Sequence, residues 1–235
     1  MNDQILVHGD ALSLMAELIP ASVAMVLTDP PYNITRPNNL HTMGRKGIEW
    51  KWDGSFDQFS WLPLAVEALR PGGALVIFND WKNLGDIAKV LASLGCEAKR
   101  DLVWSKSNPM PRNRDRSYVQ AREYALWAVK SSSKVKWTFN RRSKSYETGM
   151  FSYPVQHSLH PTKKPDGLFR ELIEIHTNPG DTVLDPFAGE ATTAVACRKS
   201  GRKSISFEID EAFYRAGLGR LGRLAAVGEG LGCGR

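Results

Sequence analysis

An acid, two prolines, an aromatic and an amide follow one another at Asp29-Pro30-Pro31-Tyr32-Asn33. In this order they suit a flat ligand that carries an amino group. The Asp29 carboxylate and the Pro30 carbonyl offer two acceptors for amino hydrogens, and Tyr32 offers a stacking face. The string contains no nucleophile and no general acid, so its chemistry is positioning rather than covalent catalysis. Proline fixes φ and has no N–H, so Asp-Pro-Pro makes a stiff, extended loop whose carbonyls have no ladder partner. The apolar run from Val23 to Leu27 reads as a short buried strand. The string then leaves the C-terminal end of a strand, where open α/β sheets bind ligands. The competing structural reading makes Asp29 a helix cap and the prolines a strand terminator.

A second informative stretch lies late in the chain. Asn178-Pro179-Gly180-Asp181 is a turn and Thr182 to Leu184 a buried strand. The strand exits through Asp185-Pro186-Phe187-Ala188-Gly189-Glu190, and Ala191 to Lys199 reads as a helix. Strand, tight turn and helix are the parts of a nucleotide-type site, with Gly189 allowing a ligand close to the backbone. Ser204 to Phe207 forms a further strand ending at Glu208. A carboxylate about 20 residues beyond such a turn is placed to hydrogen-bond a ribose diol. Gly189 is followed directly by Glu190-Ala191 rather than by the Lys-Ser or Lys-Thr of a triphosphate loop, which argues against a triphosphate.

The elements that must carry these residues alternate along the chain. Ile5-Leu6-Val7 is a strand, and Ala11 to Ile19 a helix that Asp10 would cap. Trp61 to Leu69 is a helix ended by Pro71-Gly72-Gly73, Ala74 to Phe78 a strand, and Asn83 to Leu94 a helix closed by Gly95. Asp101 to Trp104 and Tyr124 to Val129 are two strands expected near the sheet edge. Residues 34–58 hold no sustained period and are expected to form a long mobile loop, of the kind that is a functional lid or disordered. The glycine-rich residues 222–235 are expected to fray after a short helix.

At 235 residues and 42% hydrophobic content the chain can build one large α/β core. No run of about 18 apolar residues would span a membrane. The N-terminus lacks a signal-peptide pattern. Cys96, Cys197 and Cys233 are widely spaced, offering neither metal nor disulfide framework and suiting a reducing cytoplasm.

Charge is unevenly distributed. Residues 99–144 hold thirteen Lys or Arg against three acids, a local +10 in a chain whose net charge is +6. Tyr118, Trp137 and Phe139 are interleaved. A basic stripe with aromatics is the footprint of a nucleic-acid partner, and a solvated basic face is the plainer alternative. Arg112, Arg114, Arg116, Lys136, Arg141 and Arg142 are the candidate DNA contacts, with 136–142 the preferred groove-reading stretch.

Together the two stretches resemble a known family. Thr28-Asp29-Pro30-Pro31-Tyr32-Asn33 looks like the catalytic motif of the amino-methylating DNA methyltransferases, which act on N6 of adenine or N4 of cytosine. Asp181-Thr182-Val183-Leu184-Asp185-Pro186-Phe187-Ala188-Gly189 looks like their S-adenosylmethionine motif. Catalytic motif first, cofactor motif last and a basic segment between is similar to the β-group. His160-Pro161-Thr162-Lys163-Lys164-Pro165 resembles the block that precedes its cofactor motif. The likeness runs from about Ile5 to Leu221.

The resemblance implies a Rossmann-like, circularly permuted methyltransferase fold. It would be a single domain over residues 1–235, with a mixed seven-stranded sheet, helices on both faces and a basic DNA-recognition insert at about 106–157. Ile5-Leu6-Val7 would lie beside Ile205-Ser206-Phe207. It further implies S-adenosylmethionine as cofactor and no metal. The catalytic residues would be Asp29, Pro30, Pro31 and Tyr32. The cofactor residues would be Asp10, Thr162, Lys164, Asp185, Phe187, Gly189, Thr192, Thr193 and Glu208. Asp10 has two compatible readings, helix cap and adenine acceptor. The partner would be double-stranded DNA in the cytoplasm of a bacterium, archaeon or phage host, with a homodimer and a cognate restriction endonuclease as further expectations.

One departure stands out. The family commonly continues with Ser-Gly-Thr-Thr, where this chain has Glu190-Ala191-Thr192-Thr193. Adenine N6 leads, because an acid at the first motif position is the commoner choice of adenine enzymes. Cytosine N4, an RNA or protein-glutamine substrate, and a non-catalytic DNA-binding module remain as alternatives.

Overall fold

The computed structural model describes residues 3–33, 56–111, 115–116, 118–142, 146–156 and 163–230, the last six of these by backbone alone. Eight strands form one sheet: β1 (Gln4–His8), β2 (Val23–Thr28), β3 (Leu69–Asn79), β4 (Cys96–Lys106), β5 (Arg122–Lys130), β6 (Met150–Tyr153), β7 (Thr182–Asp185) and β8 (Lys203–Glu208). Their spatial order is β1-β8-β7-β2-β3-β5-β4-β6. β5 runs antiparallel to both its neighbours, and every other pair is parallel. The chain's first and last strands pair with Ile5 opposite Ile205 and Val7 opposite Phe207, so the sheet is permuted in the expected register.

The helices are α1 (Ala11–Ala16), α2 (Leu62–Ala68), α3 (Leu84–Ser93), α4 (Asp166–His176), α5 (Thr192–Ser200) and α6 (Glu211–Gly230). Side chains alternate across a strand, and the two faces of the sheet divide accordingly. Val26, Leu75 and Ile77 pack with α1, α2 and α3, while Met25, Leu27, Val76 and Phe78 pack with α4 and α5. All six residues of β2 are buried. A strand covered on both faces reads as a continuous apolar run, which is why Val23 to Leu27 is so legible.

The structure corrects several expectations. The sheet has eight strands, not seven. β6 is the addition: four residues, paired to β4 from Val103↔Met150 to Lys106↔Tyr153, too short to show a period. β6 thus occupies the sheet edge instead of β4 and β5. Residues 222–230, expected to fray, continue α6, while 231–235 lie outside the described residues. Docking holds this glycine-rich helix. The Arg220 guanidinium donates to Asp166 at 2.7 Å, and Arg198 donates to the Leu221 carbonyl at 3.0 Å. Most of the expected 34–58 loop, residues 34–55, also lies outside the described residues.

β3 begins at Leu69, earlier than the proline suggests. Its pairing with β2 jumps from Val23↔Leu69 to Met25↔Ala74, so Pro71-Gly72-Gly73 forms a bulge, where a missing N–H is tolerated. Gly73 lies against the neighbouring strand. A Cβ there would stand 2.6 Å from Leu69 Cδ1 and 2.9 Å from the Ala24 carbonyl oxygen. Gly73→Ala is therefore expected to overpack the bulge and cost about 1–3 kcal/mol. Equilibrium urea unfolding checks this, and a midpoint equal to that of the unsubstituted protein would show the bulge to be slack.

Candidate active site

β2 and β7 are neighbours whose chain connections leave in opposite directions, a topological switch point. Over their C-terminal ends lies a cavity of about 600 Å³. It brings together Asp10, Asp29, Pro30, Pro31, Tyr32, Lys164, Asp185, Phe187, Gly189, Thr192 and Glu208. Of the expected catalytic and cofactor residues, Thr193 lies beneath the cavity and Thr162 outside the described residues.

The Asp185 carboxylate joins the two strand ends. It accepts from the Thr28 hydroxyl at 2.7 Å, the Thr193 hydroxyl at 2.5 Å and the Phe187 N–H at 3.2 Å. Asp185 was expected to touch cofactor; these bonds make it a brace beneath the loop. Burial pushes its pKa up to about 6, against the hydrogen bonds that favour the charged form.

The Asp29 loop is pinned by side-chain amides. Gln58 donates to the Pro31 carbonyl at 2.5 Å and Asn83 to the Tyr32 carbonyl at 3.0 Å. Asn79 links Gln58 to Asn83, with 2.8 Å on each side. Asn33 adopts φ 54, a left-handed conformation that asparagine tolerates, and its side chain brackets the Phe56 backbone. Among the described residues no donor reaches the Pro30 carbonyl, and Pro30 lines the cavity.

Lys164, expected to serve the cofactor, is instead buried between two carboxylates. Its ammonium lies 2.5 Å from Asp29 Oδ2 and 3.0 Å from Glu123 Oε2. Burial alone would lower the ammonium's pKa; Asp29 and Glu123 outweigh it and hold the pKa above its ordinary value. Burial likewise raises Glu123, but Lys164 and Lys106 overcome it and leave the carboxyl below its usual range. The Tyr32 hydroxyl donates to Asp29 Oδ1. Desolvation and the Asp29 charge together push that phenol's pKa well up, so it stays protonated.

On the opposite wall, Gly189 takes φ 51 and donates its N–H to Glu208 Oε2 at 2.6 Å, while Glu208 Oε1 accepts from Asp210. Burial raises the Glu208 pKa despite these bonds. Phe187 packs edge-on against Phe56 and Trp61. Asp10 caps α1, accepting the Ser13 N–H at 2.9 Å, and also lines the cavity. Acids, an aromatic ring and a glycine turn suit a cationic ligand that carries a nucleoside.

Ala191 occupies the position where the resembled family has a glycine, and it is left-handed with φ 59. That conformation costs a non-glycine residue about 1–2 kcal/mol. The Ala191 methyl is accommodated by Gly217 of α6, whose own Cβ would stand 3.1 Å from it. The Glu190 carbonyl accepts from Arg220. The departure from the motif is thus absorbed by α6.

The basic segment divides between the two ends of the sheet. Residues 107–121 join the end of β4 to the start of β5, and Lys106, Gln120 and Arg122 line the cavity. Arg116 is exposed in this stretch, and Arg112 and Arg114 lie outside the described residues. Lys136 belongs to the opposite end. A Cβ on Gly72 would meet the Val135 and Lys136 carbonyls at 3.2 Å. Gly72 lies seven residues before Asn79 on β3, about 23 Å at the strand rise. Asn140, next to Arg141, donates to carbonyls at the C-terminal end of α4. Trp137 covers Lys99, with 3.9 Å from ammonium to ring centroid, and Phe139 stacks on Trp127. Arg142 is paired with Glu171 and Glu147. Lys136 to Asn140 therefore lie toward the end of the sheet away from Asp29, contrary to expectation, while Arg142 shares Glu171 with the Tyr153 hydroxyl of β6.

Residues 23–218 match the model of the N6_N4_Mtase family, described as a DNA methylase. The chain belongs to this DNA methylase family. The methylase is 29% identical over 242 residues to the Type II methyltransferase M2.DpnII of Streptococcus pneumoniae, covering 94% of this chain and 90% of that one. It superposes on the M1.HpyAVI–SAM complex with a TM-score of 0.76 and 33% identity, covering 92% of this chain and 99% of that one. The PvuII cytosine-N4-specific DNA methyltransferase shares the fold, with a TM-score of 0.73, 20% identity and coverage of 93% and 88%.

The Asp185 brace has a pH signature. Its pKa is about 6 in the folded methylase, against an ordinary value of 3.8. The folded state therefore prefers the protonated form. The stability this gives is full below pH 4 and is lost as pH rises through 6, roughly 2–3 kcal/mol in all. Asp185→Asn, which cannot ionise, should gain stability relative to the unsubstituted methylase between pH 4 and pH 7. Thermal melts of both across that range test this, and a constant difference would contradict it.

Proposed function

We propose that this DNA methylase transfers a methyl group from S-adenosylmethionine to the exocyclic N6 of an adenine flipped out of duplex DNA. One observation carries the reading: Asp29-Pro30-Pro31-Tyr32 and the Asp185–Gly189 turn with Glu208 open into a single cavity. Glu208 and Asp10 would hold the cofactor's ribose and adenine, and Phe187 and Gly189 its turn-facing side. When bound, S-adenosylmethionine supplies an electrophilic methyl on a sulfonium.

The chain's own residues do the rest. An aromatic amine is a poor nucleophile because its lone pair is delocalised. Asp29 and the Pro30 carbonyl, each accepting one amino hydrogen, favour a pyramidal nitrogen with the lone pair aimed at the methyl, so positioning and electrostatics dominate. Asp29 is then the nearest acceptor for the proton the methylated amine sheds. Flipping costs a few kcal/mol, and Tyr32 stacking returns about 1–3 kcal/mol. Cytosine N4 is the second reading, since it presents the same amino group and the PvuII enzyme shares this fold. A cognate endonuclease in a bacterial cytoplasm fits the Type II names of the relatives. The homodimer expectation rests on the resemblance alone, and ultracentrifugation tests it.

The deciding experiment incubates unmethylated genomic DNA with protein and labelled cofactor, then digests the DNA to nucleosides for mass spectrometry. Label in N6-methyladenine is expected, label in N4-methylcytosine would reverse the choice of base, and cofactor binding without incorporation would mark a non-catalytic module. Asp29→Ala should abolish transfer while leaving cofactor affinity within a few-fold. Lys164 keeps Glu123 as partner in that variant, so the fold survives.

DNA contacts are proposed at the cavity end, through Arg116 and Arg122; Arg112 and Arg114 lie outside the described residues. Arg116→Ala should flatten the slope of log affinity against log salt by about one unit. Lys136→Ala and Arg141→Ala should leave both affinity and slope unchanged. A salt titration with fluorescent duplex DNA reads all three, and a loss confined to Lys136 and Arg141 would restore the opposite face.

A further inference from the structure

Behind Asp29 runs a row of alternating charges that no sequence motif marks. Lys106 of β4 sits 2.7 Å from Glu123 of β5, Glu123 sits 3.0 Å from Lys164, and Lys164 sits 2.5 Å from Asp29. Lys164 is 3% exposed, and the Glu123 side chain 17%. We infer that Glu123 is a positioning residue for methyl transfer: it shares the Lys164 ammonium with Asp29, so that Asp29 stays oriented without closing into a one-to-one ion pair. The inference rests on Asp29 being the acceptor for the target amine.

The argument concerns which lone pairs are occupied. Asp29 receives Tyr32 on one oxygen and Lys164 on the other, yet the incoming amine must also donate to it. A buried ammonium with one counter-ion cannot move off it without stranding two charges in a low dielectric. With Glu123 present, Lys164 has a second counter-ion within hydrogen-bond reach and can yield Asp29 to the substrate. Lys106 plays the same part for Glu123, so the row Lys106–Glu123–Lys164–Asp29 is electrically neutral as the amine docks, whichever carboxylate holds the Lys164 ammonium. The carboxyls of Asp80 and Asp185 also face this centre, from the ends of β3 and β7. Lys163, beside Lys164, is paired with Asp166.

Non-additivity separates this role from a merely structural one. Glu123→Gln keeps the shape, removes a nearby negative charge and leaves Lys164 wholly to Asp29. Because Glu123 acts through the Lys164 ammonium, its substitution should cost nothing further once Lys164→Met has removed that ammonium.

The test is single-turnover methyl transfer to unmethylated genomic DNA between pH 5 and pH 9, using the full chain and S-adenosylmethionine. Glu123→Gln should slow transfer roughly ten-fold or more, because the acceptor is misplaced rather than lost. Its cofactor affinity should stay within about two-fold. The double variant with Lys164→Met should be no slower than Lys164→Met alone. A Glu123→Gln rate within about two-fold of the unsubstituted rate would overturn the inference, and so would a double variant slower than Lys164→Met alone. Asp29→Ala run alongside keeps the two readings apart. Retained turnover there would remove the Asp29 assignment and this inference with it, whereas a dead Asp29→Ala beside an unaffected Glu123→Gln removes the inference alone.

Discussion

A carboxylate with 2% of its surface exposed holds together the two strand ends on which the site is built. Asp185 ends β7, and its oxygens are taken by Thr28 at the end of β2, by Thr193 in the first turn of α5 and by the Phe187 N–H in the turn between. Thr28 immediately precedes Asp29, and Phe187 and Thr193 flank Gly189. The amine-binding loop and the cofactor turn are thus fixed to one another by a group that need touch neither ligand. Such a brace costs desolvation, which is why its carboxyl titrates near 6. In return the two reacting partners meet in a geometry set before either arrives, where small displacements are expensive in rate.

Most of this frame was legible in the sequence. A strand buried on both faces announces itself as an apolar run, so β2 and β7 and the carboxylates that end them could be placed. The pairing of Ile5-Leu6-Val7 with Ile205-Ser206-Phe207 followed once the order of the two motifs implied a permuted sheet. What could not be read was whatever depends on partners distant in sequence. Lys164 belongs to the His160–Pro165 block, which resembles the one that precedes the family's cofactor motif, and only the fold brings it 135 positions back to Asp29. Glu123 is one of three acids among the thirteen cations of residues 99–144, and no motif around it marks a role. β6 and α4 bracket residues with no turn signature, and four residues of β6 carry no period.

The basic segment shows why composition locates a partner less well than it detects one. Thirteen cations in sequence proximity suggest a single surface, yet β4 and β5 run through the middle of the segment and carry its two halves to opposite ends of the sheet. Several cations are also spent internally. Lys130 donates to the Val66 and Leu69 carbonyls, Lys99 lies over Trp137, and Lys106 pairs with Glu123. Of the two rings that looked like groove contacts, Trp137 covers Lys99 and Phe139 packs against Trp127 and His176, whose imidazole is pushed down to about 4 by burial and stays neutral.

The pairing of β1 with β8 has a consequence for how the molecule is made. Gln4 and Ser204 are partners about 200 residues apart. At a synthesis rate of roughly 5–20 residues per second, β1 leaves the ribosome roughly 10–40 s before the strand that covers its edge. During that interval β2, β3 and their helices can assemble around their own core, while Ile5 and Val7 have no sheet to join. The edge that carries Glu208 is therefore the last to close, and a nascent chain stalled before residue 203 would hold an amine-binding loop facing a cofactor wall that lacks Glu208.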